Sequence, residues 1–313
     1  MESASGMHGA FSYAKINMFL EVTGKRPDGY HDLESVFVEV DLRDRLFARR
    51  ESGPEVSLNC PGSPEGVPGD GGNLVVKAVE AVRRRCGIGE GMSLVLHKSI
   101  PPGTGLGGGS ANAALALRLA DALWETRLDG DELAELALEI GSDVPFFLKG
   151  GTCLCRGRGE IITRLPDFPS GQWIVLALPT IHSGTAEAFR GLRLPGPGER
   201  RSAGMFAQAL AEADVAGMER EAFNRFEETV FAALPELGRL RTELAALSGR
   251  RVRLSGSGSA LWHFADAACA ASLEENGELG AWARRNGVRL AAVRARTSTP
   301  VGSGDIFLDT PPF

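Results

Sequence analysis

A lysine, an aspartate and a run of glycines have the types and spacing to act on a phosphorylated ligand. Lys15 lies in SYAKIN, with Tyr13, Ala14 and Ile16 around it. Strand lysines ordinarily face solvent, and one among apolar neighbours is a candidate for a cation held over a reacting group. Asn17, two residues on, shares its face of a strand and adds a hydrogen-bonding amide. Asp143 precedes Val144-Pro145, a helix-start pattern, so it is a candidate proton acceptor as well as an ordinary N-cap. The glycines belong to Pro101–Ala113, PPGTGLGGGSANA, at Gly103, Gly105, Gly107, Gly108 and Gly109. Five glycines in seven residues exceed the needs of a tight turn. They let successive N–H groups point at one anion, at a helix entrance where the first N–H groups have no internal partners. Phosphate is the commonest anion in such a cradle. Cradle, cation and carboxylate are the parts that phosphoryl transfer needs.

Other glycine-loop chemistries fit less well. Gly103-Thr-Gly105-Leu-Gly-Gly108 satisfies the dinucleotide fingerprint, but two prolines precede it. No acid follows at the end of a second strand, since Asp121, Asp129 and Asp131 fall in or beside helical segments. The Walker pattern is absent. A catalytically silent nucleotide-binding protein would keep the glycines yet have no need of Lys15 and Asp143. Tyr30-His31 follows a Pro-Asp-Gly turn and could hold a flat base by stacking and edge contacts. Phe189, read alone, is a core residue.

The elements that must position these groups follow from local pattern. Phe11–Val22 reads as a strand, Thr23–His31 as a turn, and Leu33–Leu42 and Leu46–Arg50 as further strands. Val56–Cys60 is another strand, 61–72 a surface loop, and Asn73 caps a helix that Gly87 stops. Met92–His97 is a buried strand leading to the glycine corner, with Ser110 at the entrance of a helix over Ala111–Trp124. Asp131–Ile140 is amphipathic, and Thr152–Cys155 with Ile161–Leu165 forms a hairpin. After a loop at Pro166–Gly171 come a strand at Trp173–Pro179, a short helix at Thr185–Leu192 and helical pattern over Ala203–Leu247. Arg251–Leu254, Ser255–Ser259 and Ala260–Ala265 read strand, glycine loop, strand; Ala267–Arg285 is helical and Val288–Ala295 is a last strand. Two strand–helix regions, each with a Gly/Ser loop, give an α+β protein in two lobes with ligand between them. The expected organisation is a flexible leader over 1–10, lobes over 11–166 and 167–296, and a flexible tail over 297–313.

The 313 residues suffice for two domains, and 43% hydrophobic residues supply real cores. A net charge of −6 argues against a nucleic-acid partner, yet local N–H groups and a lysine can still hold a phosphorylated small molecule. No apolar run spans a membrane and no signal peptide opens the chain. The five scattered cysteines fit a reducing cytoplasm, with Cys153 and Cys155 as strand residues.

SYAKINMFLEVTGKRPDGYHDLESVF, PPGTGLGGGSANAA, GSDVPFFLKGG and LSGSGSALWHF resemble four successive signatures of the GHMP kinases, over about residues 11–295. TGKRPDGYH is similar to members that phosphorylate a cytidylated sugar alcohol for non-mevalonate isoprenoid (terpenoid) synthesis. The resemblance implies the two-lobed GHMP fold, an N-terminal nucleotide-binding lobe and a C-terminal α/β-sandwich lobe. It implies ATP and Mg²⁺, and transfer to the 2-hydroxyl of a methylerythritol moiety. By motif, Lys15 and Asp143 are the catalytic pair. Pro101, Pro102, Gly103, Thr104, Gly105, Leu106, Gly107, Gly108, Gly109, Ser110 and Ala111 wrap the ATP phosphates. Asn17, Tyr30, His31, Thr185 and Phe189 recognise substrate, Tyr30 and Phe189 enclosing the base and His31 reading its edge. Ala111 stands where the family often has a second serine, leaving Ser110 as the hydroxyl near the phosphates. The metal ligands are unassigned. A mevalonate- or homoserine-type acceptor is the alternative, for which a base clamp has no use. The protein is expected to be a monomer or weak homodimer, with no membrane partner.

Overall fold

The computed structural model describes residues 7–62, 68, 71–196, 198–273, 277–297 and 307–309. Two long strands frame the first lobe. β1 (Met7–Lys25) and β2 (His31–Glu51) form an antiparallel hairpin with register shifts at Tyr13/Ala14, Asn17/Phe19 and Val22/Gly24. The two strands expected within 33–50 are thus one. The polar stretch Arg43-Asp44-Arg45 does not break it, because these residues stay paired with Tyr13, Ser12 and Phe11.

β3 (Val56–Asn59), α1 (Leu74–Cys86), β4 (Gly91–His97), α2 (Gly108–Trp124), α3 (Gly130–Ile140) and α4 (Val144–Lys149) follow. β5 (Thr152–Gly157) and β6 (Ile161–Arg164) make the expected hairpin. The first half of β2 pairs β5 and its second half pairs β4, so one strand carries both the base of the glycine loop and the hairpin.

The second lobe contains β7 (Trp173–Pro179), α5 (Thr185–Arg190), α6 (Gly204–Ala211), α7 (Val215–Glu221), β8 (Phe223–Asn224), α8 (Phe226–Ala233) and α9 (Pro235–Ser248). It ends with β9 (Arg253–Leu254), β10 (Leu261–Ala265), α10 (Ala267–Ser272), α11 (Glu278–Asn286) and β11 (Val288–Arg294). Its sheet runs β11-β7-β10-β9, all antiparallel. β8 leaves this lobe and pairs β1 in parallel. β12 (Phe307–Asp309) pairs β1 at Met7–Gly9. Residues 7–10, expected in a leader, and 307–309, expected in a tail, are therefore sheet; residues 1–6, 298–306 and 310–313 lie outside the described set.

Alternation along β1 and β2 explains how the lobes join. Phe37 and Leu46 point into a core with α1 and α2, whereas Ile16, Met18, Val36 and Val38 point into one shared with Leu176, Phe206 and Trp262. Both faces of the sheet are covered, so β1 is buried almost continuously from Ala14 to Val22. Among the described residues no helix is long and apolar enough to cross a membrane.

Candidate active site

The glycine corner lies between the lobes, and its backbone is fixed from three sides. From β1, the Lys15 N–H donates to the Leu106 carbonyl at 2.9 Å. From the second glycine loop, Ala260 N–H donates to Thr104 O at 3.0 Å and the Ser255 hydroxyl to Gly105 O at 3.2 Å. From beneath, the Asp44 carboxylate accepts from the backbone N–H groups of Ser99 and Ile100, at 2.6 and 2.8 Å. Asp44 is wholly buried and forms an ion pair with Lys98, which also donates to Asn112; Asn112 in turn donates to Asp44 and Ser12. Asp44→Ala would take the countercharge from the buried Lys98 ammonium, the acceptor from two backbone N–H groups and one of two acceptors from the Asn112 amide. Breaking a buried pair from one side costs about 3–5 kcal/mol. A loss of that size in urea-unfolding free energy is the expected result.

Gly107 caps α2, at φ 70°, with no side-chain cap bond. The helix thus begins at Gly108, earlier than expected, and Ser110 is its third residue rather than its cap. The first helical bond runs from Ala111 N–H to Gly107 O, so the N–H groups of Gly108, Gly109 and Ser110 precede the ladder. They sit at the positive end of the dipole, facing the cleft. Ala111, expected with the phosphate-wrapping residues, is placed just behind them: its N–H is spent within the helix, its side chain is buried, and it is not among the residues that line the cleft.

The cleft has a volume of about 440 Å³. Lys15, Asn17, Asp143, Thr185, Phe189 and all of Pro101–Ser110 line it. Sequence reasoning missed Phe37, Leu33, Phe226 and the second-loop residues Gly256 and Ser257, which line it too. Ser257 was detectable as part of a second Gly/Ser loop; its hydroxyl lies 3.0 Å from that of Thr185.

Lys15 Nζ lies 3.7 Å from Asp143 Oδ2, donates to Asn17 Oδ1, and sits 4.6 Å above the Phe37 ring. Burial pulls the Lys15 ammonium below the usual lysine range, and the Asp143 charge works against that fall. Asp143 occupies the N-cap position of α4 but makes no side-chain cap bond. Its carboxylate is one-third exposed to the cleft and turned to Lys15 instead. The ordinary capping role is therefore not the one it performs.

Tyr30 and His31 do not line this cleft; they sit beside it. Tyr30 is 49% exposed, with the Arg158 guanidinium 3.9 Å from its ring centroid. His31 stacks on Phe189 at 4.8 Å, and Phe189 meets Phe226 edge-on at the same distance. Burial and the neighbouring Lys25 hold the His31 imidazole below its usual range, which favours the neutral ring. Among the described residues no cluster of three or more His, Cys, Asp or Glu could hold a metal. Ser110 and Asp143 are among the oxygen-bearing residues that line the cleft, and oxygen is the donor type that a hard cation takes.

Comparison with known proteins finds relatives in both sequence and fold. The sequence profile "GHMP kinases N terminal domain" matches residues 73–151. The 4-diphosphocytidyl-2-C-methyl-D-erythritol kinase of Exiguobacterium sibiricum is 38% identical over 245 residues, spanning 78% of this chain and 84% of that protein. A crystal structure of 4-(cytidine 5'-diphospho)-2C-methyl-D-erythritol kinase superposes with a TM-score of 0.72 at 32% identity, covering 91% of this chain and 98% of the other. Homoserine kinase from Cytophaga hutchinsonii superposes with a TM-score of 0.72 at 17% identity, over 95% and 97% of the two chains, a likeness of fold alone.

Proposed function

The chain belongs to the GHMP kinases, and within them to the 4-diphosphocytidyl-2-C-methyl-D-erythritol kinases, and from that premise we propose that its cleft moves the γ-phosphoryl of ATP to the 2-hydroxyl of the cytidylated methylerythritol. The reaction serves non-mevalonate isoprenoid synthesis. The N–H groups of the glycine corner take the triphosphate, and their preset directions cost no reorganisation as charge shifts. Asp143 receives or orients the proton of the acceptor hydroxyl. Lys15 positions Asp143 and the acceptor and offsets negative charge between the reacting oxygens. Mg²⁺ supplies charge neutralisation on the ATP phosphates when bound, with Ser110 and Asp143 as the protein oxygens at hand. Asn17, Thr185, Tyr30, His31 and Phe189 receive the acceptor, the base lying on Tyr30 and Phe189. His31 gives up its stack on Phe189 to reach the polar edge. The protein works in the cytoplasm, as a monomer or weak homodimer.

One observation carries this reading: an uncapped carboxylate faces a buried ammonium at 3.7 Å, on a cleft closed by the glycine corner. The test is ATP consumption with the cytidylated acceptor, mevalonate and homoserine supplied separately. Turnover with the cytidylated acceptor alone is expected. Tyr30→Ala should raise its KM about tenfold, since base–aromatic stacking is worth about 1–3 kcal/mol. Equal turnover of mevalonate or homoserine would overturn the acceptor assignment.

A further inference from the structure

Arg158 stands at the tip of the hairpin between β5 and β6, outside the lining of the cleft. Its guanidinium lies over Tyr30, and its Nε is buried with no hydrogen-bond partner. Two other arginines of this hairpin are paired, Arg156 with Glu34 at 3.7 Å and Arg164 with Asp167 at 3.6 Å. Asp28 feels the Arg158 charge but is itself paired with Arg26 at 3.1 Å. Among the described residues Arg158 has no carboxylate in ion-pair contact. The next residue packs against the catalytic aspartate: a Cβ on Gly159 would lie 3.1 Å from Ser142 O and 3.9 Å from Asp143 Oδ1. The hairpin tip thus runs from the aromatic ring to the carboxylate.

We infer that Arg158 binds the diphosphate of the acceptor and selects acceptors that carry one. The inference rests on the cytidylated acceptor proposed above. In such a molecule the base and the reacting hydroxyl are joined through a diphosphate, so its negative charges must cross the interval that Arg158 spans. The chain is acidic overall, with a net charge of −6, so the countercharge has to be local. Lys15 is committed to Asn17 and Asp143, and the glycine corner to ATP. A guanidinium offers a planar fork of donors that matches phosphate oxygens, held here by the Tyr30 ring.

The test compares binding of CDP and of cytidine to the full-length wild type, Arg158→Ala and Arg158→Lys by calorimetry. Arg158→Ala is expected to weaken CDP about 30-fold and cytidine by less than about threefold, as loss of a charge-assisted pair should. Arg158→Lys, a point charge without the fork, should recover part of the difference. In kinetics the acceptor KM rises while the ATP KM and kcat hold. Equal weakening of both ligands would mean that Arg158 only props Tyr30, and no weakening would mean that it does not reach substrate; either overturns the inference. A wild type that phosphorylates the cytidylated acceptor, with Arg158→Ala unchanged, sinks this inference alone. A wild type that neither binds CDP nor turns over that acceptor sinks the acceptor reading and this inference with it.

Discussion

Asp143→Asn is expected to lower kcat about a thousandfold and leave ATP affinity within about twofold, general base catalysis being worth about 10²–10⁴. The amide keeps the size and polarity of the carboxylate but accepts no proton. It also removes the negative charge 3.7 Å from Lys15. That charge opposes the downward pull of burial on the Lys15 ammonium, so the variant's lysine loses its proton at lower pH than in the wild type. Residual activity should accordingly decline earlier as pH rises. Steady-state kinetics from neutral to alkaline pH, with a fluorescent ATP analogue to report binding, check both outcomes. Turnover within about tenfold of wild type, or 1.4 kcal/mol of barrier, would remove Asp143 as the base.

Gly105→Ala is expected to cost about 2–5 kcal/mol of stability and to raise the ATP KM at least about tenfold. Two terms add: left-handed backbone costs a residue with a Cβ about 1–2 kcal/mol, and overpacking about 1–3 kcal/mol more. Gly105 has φ 75°, and a Cβ there would overlap the Ser255 carbonyl, with Gly258 N 3.2 Å away. Those obstacles are backbone, so the two glycine loops must separate and the cradle must lose its shape. Gly109→Ala is the control. Gly109 lies in α2, where the nearest atom to a new Cβ is Leu74 Cδ1 at 3.7 Å. That variant should keep its stability within about 0.5 kcal/mol. Urea melts and ATP kinetics of the pair provide the comparison, and equal behaviour would refute the cradle argument.

The parts of this protein written in local chemistry could be read from the sequence. The glycine corner, the Asn73 cap, the hairpin and the β7 strand each depend on residues close in the chain, and each lies where the pattern put it. Lys15 could be singled out because its neighbours are apolar, and that signal reflects burial on both faces of β1. What could not be read depends on partners distant in sequence. Asp44 falls between the two strands expected over 33–42 and 46–50 and carries no signal of its own, yet it anchors Ser99 and Ile100, more than 50 residues away. Ser110 had the residue type of a cap, but the ladder starts at Gly107 because the helix entrance is left open toward the cleft. The Tyr30–Arg158 contact joins two turns that only the long β2 strand brings side by side. No periodicity announces it.

The second glycine loop gives the interdomain seam a further meaning. Because Ala260 and Ser255 from one half grip Thr104 and Gly105 of the other, a triphosphate bound at the glycine corner, as proposed, would work as a keystone. Ligand loading should tighten both halves together and let them melt as a single cooperative block. Severing the polypeptide near residue 166 would leave the pocket without its outer wall, and the half-molecules should be poor receptors for ATP even where each keeps its own sheet.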